Sequence, residues 1–479
     1  MITGFNIVRN SFTIIAGNFL NKAVSVAVLF YLTGYLGPAG FGRFSFVIAY
    51  VTFFGIFTDL GLNTVLTREI SGGSVNRSSG FGNALILRFA ASLATAALVI
   101  SSIALLGYPS EVLTLTIAAS LLLFFSFRGL FFRNVLEIPF QVLLRMDYPA
   151  VINFLNELLT LAAVVWLVRA RASLPAIVLA VSLANIPCFA VEAFFSMRLI
   201  RPSFRIDVKL WKRLLKESLP LGAAMLLEGV FVITPLFTLS RFSTEEALGL
   251  YSLPLRLSSS LWIVPVAVML SMLPKMSSDA KTSKDALKDS LLKGLKAMLS
   301  IGLPMALVTD YYSSAVIDLF TGGRYPGSAT ALSLMIWGTL MYFINTVFYY
   351  SFTAAGLQRI NTAVWAAISA LTLIFSLFLI PRYHHVGAAL SFVAPLSIGT
   401  LLNFYCCRAK FGFNAIPLIA GFLLPGLATA VVLLALPFRS IISVALSLAV
   451  YLTLLFGLKT ISYSEWHEWL NGRQTKPGG

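Results

Sequence analysis

The sequence predicts an all-α polytopic membrane protein of about fourteen transmembrane helices, built as two pseudo-symmetric six-helix halves plus two C-terminal helices. Three observations carry that expectation. Hydrophobic residues make up 58% of the 479-residue chain and charged residues 11%, with mean hydropathy +0.87, whereas a soluble domain carries about 25% charged residues. Apolar runs of about 20 residues, enough to cross a bilayer, recur along the whole chain. Shifting the sequence by 207 residues lays "GFGRFSFVIAYVTFF" over "ALGLYSLPLRLSSSL", pairing Gly42 with Gly249, Ser45 with Ser252 and Arg68 with Lys275.

The runs fall in order. The first, 10–36, is too long for a cleavable signal peptide and lacks a small-residue cleavage site, so it reads as a span. It ends in "YLGPAGFGRF", whose glycines and proline stop a helix and turn the chain. A phosphate loop would need a preceding strand and a following Lys-Ser/Thr, and neither is there. Runs 43–67, 80–107, 111–133, 147–168 and 174–198 complete the first half. The charged stretch "RLIRPSFRIDVKLWKRLLKES" follows, and runs 218–241 and 248–273 open the second half. Residues 279–297, basic and amphipathic, read as a helix on the cytoplasmic membrane surface. Runs 293–320 and 329–353 flank "GGRYPGSA", a turn with GxxxxG spacing but no lysine; 359–381, 385–408, 413–436 and 439–460 follow. The expected organisation is a first half at 1–200, a cytoplasmic linker at 201–217, a second half at 218–410, two extra spans within 411–462 and a cytoplasmic tail at 463–479.

Lysine and arginine placement orients the bundle. With both termini cytoplasmic, 26 of the 35 basic residues fall on the cytoplasmic side and seven on the other. This asymmetry accounts for the net charge of +16 without nucleic acid as a partner.

Charges inside spans cost about 2.5–3.5 kcal/mol each on insertion scales and mark functional positions. Lys22 and Glu228 stand at matching depths in the first and seventh spans, Arg256 in the eighth and Asp59 in the second. They share helix faces with Asn18, Asn21 and Ser25, with Ser45, Thr52 and Asn63, and with Ser252 and Ser259. These polar stripes predict a hydrated cavity between the halves; the structural alternative pairs Lys22 with Glu228 and Arg256 with Asp59. Arg88 and Arg128 lie near cytoplasmic helix ends, where snorkelling serves as an equal explanation. Glu157 and Glu192 read as carboxylates bonded between helices.

Other chemistry is excluded by pattern. His384 and His385 are adjacent in a connector and cannot share a helix face, so no metal is expected, and no cofactor motif occurs. Cys188, Cys406 and Cys407 sit in apolar runs without a disulfide framework. His467 lies in the polar tail "SEWHEWLNGRQTKPGG", whose tryptophans suit the membrane interface. An enzyme is not expected: there is no HExxH, nucleophile elbow or Cys-x-x-Cys, and no sizeable outer loop to hold catalytic residues.

The run "NFLNKAVSVAVLFYLTGYLGPAGFGRFSFVIAYVTFFGIFTDLGLNTVLTREIS" resembles the start of bacterial polysaccharide transporters, which include O-antigen (Wzx-type) flippases of the multidrug/oligosaccharidyl-lipid/polysaccharide (MOP) superfamily. "LLKESLPLGAAMLL", "VPVAVMLSMLPKMS", "GLPMALVTDYYSSAVIDLFTGGRY" and "ALSFVAPLSIGTLLNFYCCR" extend the resemblance through most of the chain. It implies a flippase that moves an undecaprenyl-pyrophosphate-linked oligosaccharide from the cytoplasmic to the outer leaflet of the bacterial inner membrane by alternating access. In relatives a cationic cavity lies between the halves, lined by spans one, two, seven and eight, and Lys22 and Arg256 occupy those helices. The resemblance therefore implies pyrophosphate held by Lys22 and Arg256, or nearer the cytoplasmic mouth by Arg88 and Arg128, with Asn18, Asn21 and Ser252 replacing the water bonds of the sugars. Asp59 or Glu228 would couple transport to an ion or gate it. The implied partners are the lipid-linked oligosaccharide, membrane lipids, a polysaccharide polymerase and other assembly proteins. The rival reading is a MATE-like ion-coupled exporter of small molecules.

Overall fold

The computed structural model is described for residues 4–414, 416–435, 441–458 and 460; the side chains of 4–16, 18, 19 and 441 lie outside that description, as does the tail with His467. Among the described residues every regular element is helical. Helix α1 (Gly4–Asp59) runs 56 residues, about 84 Å at 1.5 Å per residue, against a hydrocarbon layer of about 30 Å. It is two spans joined without a loop. Gly37, at φ 64°, breaks it, and Pro38 starts the second segment. The turn expected at 35–44 is thus a single glycine kink, because only glycine takes that left-handed φ without cost.

A second break ends α1. Leu60 and Gly61 have φ 47° and 84°, and the chain resumes as α2 (Leu62–Ser71). Glycine is required at 61 for its φ and for space, since a Cβ there would stand 2.7 Å from Leu221 Cβ. There follow α3 (Arg77–Leu105), α4 (Ser110–Ser120), α5 (Leu122–Phe125), a 3₁₀ turn (Phe132–Glu137), α6 (Ile138–Val142), α7 (Asp147–Arg169), α8 (Leu174–Leu183) and α9 (Ile186–Leu199). The expected span 111–133 therefore stops at Phe125. Residues 126–131 leave the helix, with Gly129 at φ 107°; Arg128 in this stretch and Arg133 in the 3₁₀ turn after it enter ion pairs described below.

The remaining helices are α10 (Val208–Phe242), α11 (Glu245–Ser260), α12 (Ile263–Thr282), α13 (Lys284–Tyr311), α14 (Ser313–Thr321), α15 (Ser328–Ala354), α16 (Gln358–Phe411), α17 (Ile416–Ala435) and α18 (Ile441–Gly457). Asn83 ties the 201–207 segment to α3. Its amide nitrogen donates to the Arg205 carbonyl (3.0 Å), and its oxygen accepts from Asp207 N (2.9 Å) and Trp211 Nε1 (2.8 Å). Asp207 in turn caps α10, so helix already occupies 208–217. Helix α16, 54 residues long, is doubled like α1, with its break at His384. Among the described residues ten helices are long and apolar enough to cross a membrane, two of them of double length; with two shorter apolar helices they make fourteen spans.

Residues 279–297 do not form a separate surface helix. Helix α12 ends at Thr282, Ser283 caps α13 by accepting from Ala286 N (3.0 Å), and Leu287, Leu291 and Leu295 are buried in a core with Met269, Phe343 and Val347. The apolar face of the amphipathic pattern was legible, but it packs on helices instead of lipid.

The chain divides into two compact units. Unit 1 comprises Met1–Leu253, Asp318–Pro326 and Leu373–Ala388; unit 2 comprises Pro254–Ile317, Gly327–Thr372 and Ala389–Gly479.

Candidate functional site

The polar interior of unit 1 is organised around three arginine–carboxylate pairs. Arg88 on α3 meets Asp59 at 3.1 Å, with side chains 1% and 2% exposed. Its other donors go to the Thr58, Leu130 and Phe131 carbonyls (3.2, 3.3 and 2.6 Å) and to Asn63 Oδ1 (3.5 Å). Every guanidinium nitrogen is engaged, so Arg88 does not snorkel; it pins the 126–131 segment to the end of α1. Asp59 also accepts from the Gly61 and Asn63 backbone N–H groups, both at 3.1 Å. It thus caps the α2 start where Leu60 and Gly61 break the helix. Its basic partner here is Arg88, on the next helix of the same unit.

Arg133 forms the second pair. Its Nε lies 2.6 Å from a Glu192 carboxylate oxygen on α9. Its Nη atoms donate to the Phe125 carbonyl, Asn156 Oδ1 (2.7 Å) and Asn153 Oδ1 (3.2 Å). Asn156 passes the network on to Asn185 (3.0 Å). The third pair joins Arg128 to Glu157 on α7, and Ser25 of α1 bonds both side chains. Arg128 keeps 41% of its side chain exposed while Glu157 is buried. It is therefore the cation of this set best placed to meet something outside the protein.

The residues chosen from the sequence divide accordingly. Lys22 and Asn21 are half-buried on α1, and the Asn21 side-chain oxygen Oδ1 is buried without a hydrogen-bond partner among the described residues. The Asn18 side chain lies outside the description. Ser252 is buried and donates to the Leu248 carbonyl (2.6 Å) on its own helix. Arg256 is half-buried, and its carbonyl accepts from Ser259 (3.2 Å) and Ser260 (2.7 Å). Glu228 is exposed midway along α10. Within unit 1 the structure gathers Ser25, Arg128 and Glu157 into one cluster and Asp59, Asn63 and Arg88 into another.

The Arg133 network was missed. Its sequence signal was present: Asn153, Asn156, Glu157 and Thr160 repeat at helical spacing along α7, a polar stripe as dense as that of the first span.

The glycines paired by the 207-residue shift meet directly. A Cβ on Gly42 would stand 2.8 Å from Gly249 N, and one on Gly249 would strike the Pro38 backbone. Arg43 clamps this crossing, pairing with Glu111 and, at 3.3 Å, with Glu245.

Comparison with known proteins gives four findings. The family profile described as "Polysaccharide biosynthesis protein" matches residues 7–278. A Shigella flexneri protein named "Putative O-antigen transporter" is 23% identical over 412 residues, covering 83% of this chain and 96% of the relative. Among solved structures, the fold is similar to a lipid II flippase, MurJ, in an inward closed conformation, with TM-score 0.78 and 14% identity over 96% of this chain and 100% of that one. It is also similar to an inward-facing multidrug resistance MATE family transporter of the MOP superfamily, with TM-score 0.63 and 14% identity over 82% and 94%.

Proposed function

The chain belongs to the polysaccharide biosynthesis protein family, and from that premise we propose that it flips a lipid-linked oligosaccharide across the bacterial inner membrane. It is a multi-pass membrane transporter of the MOP superfamily. The observation that carries the finer reading is the alignment over 96% of a relative named as an O-antigen transporter. The cargo is an undecaprenyl-pyrophosphate-linked oligosaccharide moving from the cytoplasmic to the outer leaflet, and both termini are cytoplasmic.

The physics supports this cargo. Sugar hydroxyls lose water bonds in hydrocarbon at several kcal/mol each unless replaced. A pyrophosphate needs cations, which Lys22, Arg256 and the half-exposed Arg128 supply. Arg88, its donors consumed by protein, is assigned the structural role. Export of negative charge is favoured by an inside-negative potential by about 2.3 kcal/mol per charge per 100 mV. Alternating access requires the Gly42–Gly249 crossing and its Arg43 clamp to part in the opposite state. Asp59, committed to Arg88 and the α2 cap, serves the scaffold; Glu228, exposed on α10, is the gating carboxylate.

The test is accumulation of lipid-linked oligosaccharide on the cytoplasmic leaflet in a deletion strain. Wild type restores export, and Lys22→Ala or Arg256→Ala lowers it at least tenfold at equal expression, the loss of about 1.4 kcal/mol of charge-assisted binding. Sensitivity to small cationic drugs without oligosaccharide accumulation would instead select the exporter reading.

A further inference from the structure

The chain leading into α10 presents apolar side chains that no part of the protein covers. Phe204, Ile206 and Val208 are 61%, 60% and 54% exposed. They fall at every second residue, the spacing that puts side chains on one side of an extended chain. Helix α10 continues the row. Val208, Leu215 and Leu219, at i, i+7 and i+11, share a helix face and are all exposed. Another face is buried, with Leu210 and Leu214 in a core with Leu66 and Phe81.

Cations border this row. Arg201, Arg205, Lys209, Lys212 and Lys216 are exposed, and among the described residues none of them has an acidic partner. The nearby acids are engaged elsewhere. Glu217 and Glu69 each pair with Arg68 and Arg213, and Asp207 accepts from Leu210 N (3.0 Å) as the cap of α10. The fold also holds the row in place. Besides the bonds from Asn83 described above, Ser203 N donates to the Ser78 carbonyl (2.9 Å). Gly82 lies so close to the segment that a Cβ on it would strike the Ser203 backbone. A tethered backbone loses little further entropy when something binds its side chains.

We propose that this surface binds anionic phospholipid, the phosphates meeting Arg201, Arg205, Lys209 and Lys212 while Phe204, Ile206 and Val208 enter the acyl boundary. Two features select lipid over an acidic protein. The apolar row runs on through Leu215 and Leu219 into the rest of α10, a helix long and apolar enough to cross a membrane. A soluble partner has no use for a row that continues into hydrocarbon. The cations are also at the right depth: Lys209 to Lys216 covers about 10 Å of helix, against a headgroup layer of about 5–8 Å on each side of the hydrocarbon. Lysine and arginine stems lie along such a row with their heads among the phosphates. Placement in the cytoplasmic leaflet rests on the proposed orientation; the lipid binding itself rests on neither orientation nor cargo.

Fluorescence quenching in proteoliposomes tests this without cargo. The full-length protein with Phe204→Cys, Cys188→Ala, Cys406→Ala and Cys407→Ala is labelled at position 204 with an apolar fluorophore. It is reconstituted in phosphatidylcholine containing a small fraction of spin-labelled phosphatidylglycerol or spin-labelled phosphatidylcholine. Phosphatidylglycerol is expected to be the preferred quencher by at least about fivefold, the effect of one engaged basic residue. High salt should weaken the preference, since the screening length falls to about 3 Å at 1 M. Arg201→Gln, Arg205→Gln, Lys209→Gln and Lys212→Gln together should abolish it. Asn83→Ala, which keeps every charge but unties the segment, should lower it. Equal quenching by both lipids, or quenching by neither, would overturn the proposal, as would a preference that survives the combined charge variant. A preference unchanged in Asn83→Ala would overturn the claim that the fold holds the site. One that arises only on adding undecaprenyl pyrophosphate would make the cargo the occupant and overturn the proposal as well. A lipid-selective site in a protein that flips no oligosaccharide would leave this inference standing and remove the flippase reading.

Discussion

The two units hold their interiors together with different chemistry. Among the described residues the buried charged side chains, Asp59, Arg88, Arg133, Glu157 and Glu192, all belong to unit 1. The buried polar groups of unit 2 are neutral. Asn403 donates to Asn345 (2.8 Å), which donates to the Leu396 carbonyl (3.2 Å), and Trp262 stacks on Tyr342 at 4.4 Å. Around them lies an apolar core of Met269, Leu291, Met298, Phe343 and Val347. A neutral interior is the cheaper solution in a membrane, since each charge costs about 2.5–3.5 kcal/mol to insert. Unit 1 keeps its charges because they do what neutral groups cannot. Arg88 and Arg133 each gather three or more partners from separate segments, and a guanidinium offers five fixed donors for that purpose.

The comparison is most easily broken at Arg133. Removing Glu192 with Glu192→Ala leaves a buried guanidinium without its counter-charge, which costs about 3–5 kcal/mol. The expected result is a large fall in the thermal unfolding temperature of the purified protein. Replacing both partners, as Arg133→Met with Glu192→Met, should recover much of that loss, because desolvation of both ions disappears with them. If the single variant unfolds like wild type, the pair is not what organises this unit.

How much of this was legible in the sequence follows from the same contrast. The fourteen spans rest on hydropathy, which needs no knowledge of partners, and the Gly37 break was signalled by glycine and proline together. The interior pairs were harder. Asp59 and Arg88 lie 29 positions apart, and only the break at Leu60–Gly61 brings the carboxylate to the guanidinium. Arg133 was concealed because a span drawn through 111–133 left it at a helix end, where basic residues are ordinary. The local signal was the α7 stripe of Asn153, Asn156 and Glu157, which demanded polar partners that the neighbouring spans did not advertise.

Unit 2 should respond more mildly. Asn345→Ala removes the acceptor of Asn403 and one of the donors to the Leu396 carbonyl, which keeps Thr400 (2.9 Å), so a neutral amide is left unsatisfied at about 1–3 kcal/mol. Thermal unfolding of this variant beside Glu192→Ala measures the difference between the units directly. A larger loss for Asn345→Ala would reverse the ranking and place the more demanding network in unit 2.

The smallest expected effect sharpens the contrast within unit 1, between paired acids and Glu137. A carboxyl raised by burial holds its proton in the folded state at pH values where the unfolded chain has released it. Its contribution is complete below the unfolded value and is lost as pH rises through the folded one, so stability falls with rising pH across that window. A carboxylate stabilised by an arginine has the opposite sign. Thermal unfolding of wild type against Glu137→Gln over a pH series isolates the term, because the variant has nothing there to titrate. The wild-type minus variant difference should decline as pH rises. A difference that grows instead would mean that the folded protein prefers the ionised carboxylate, and that Glu137 behaves like its arginine-paired neighbours.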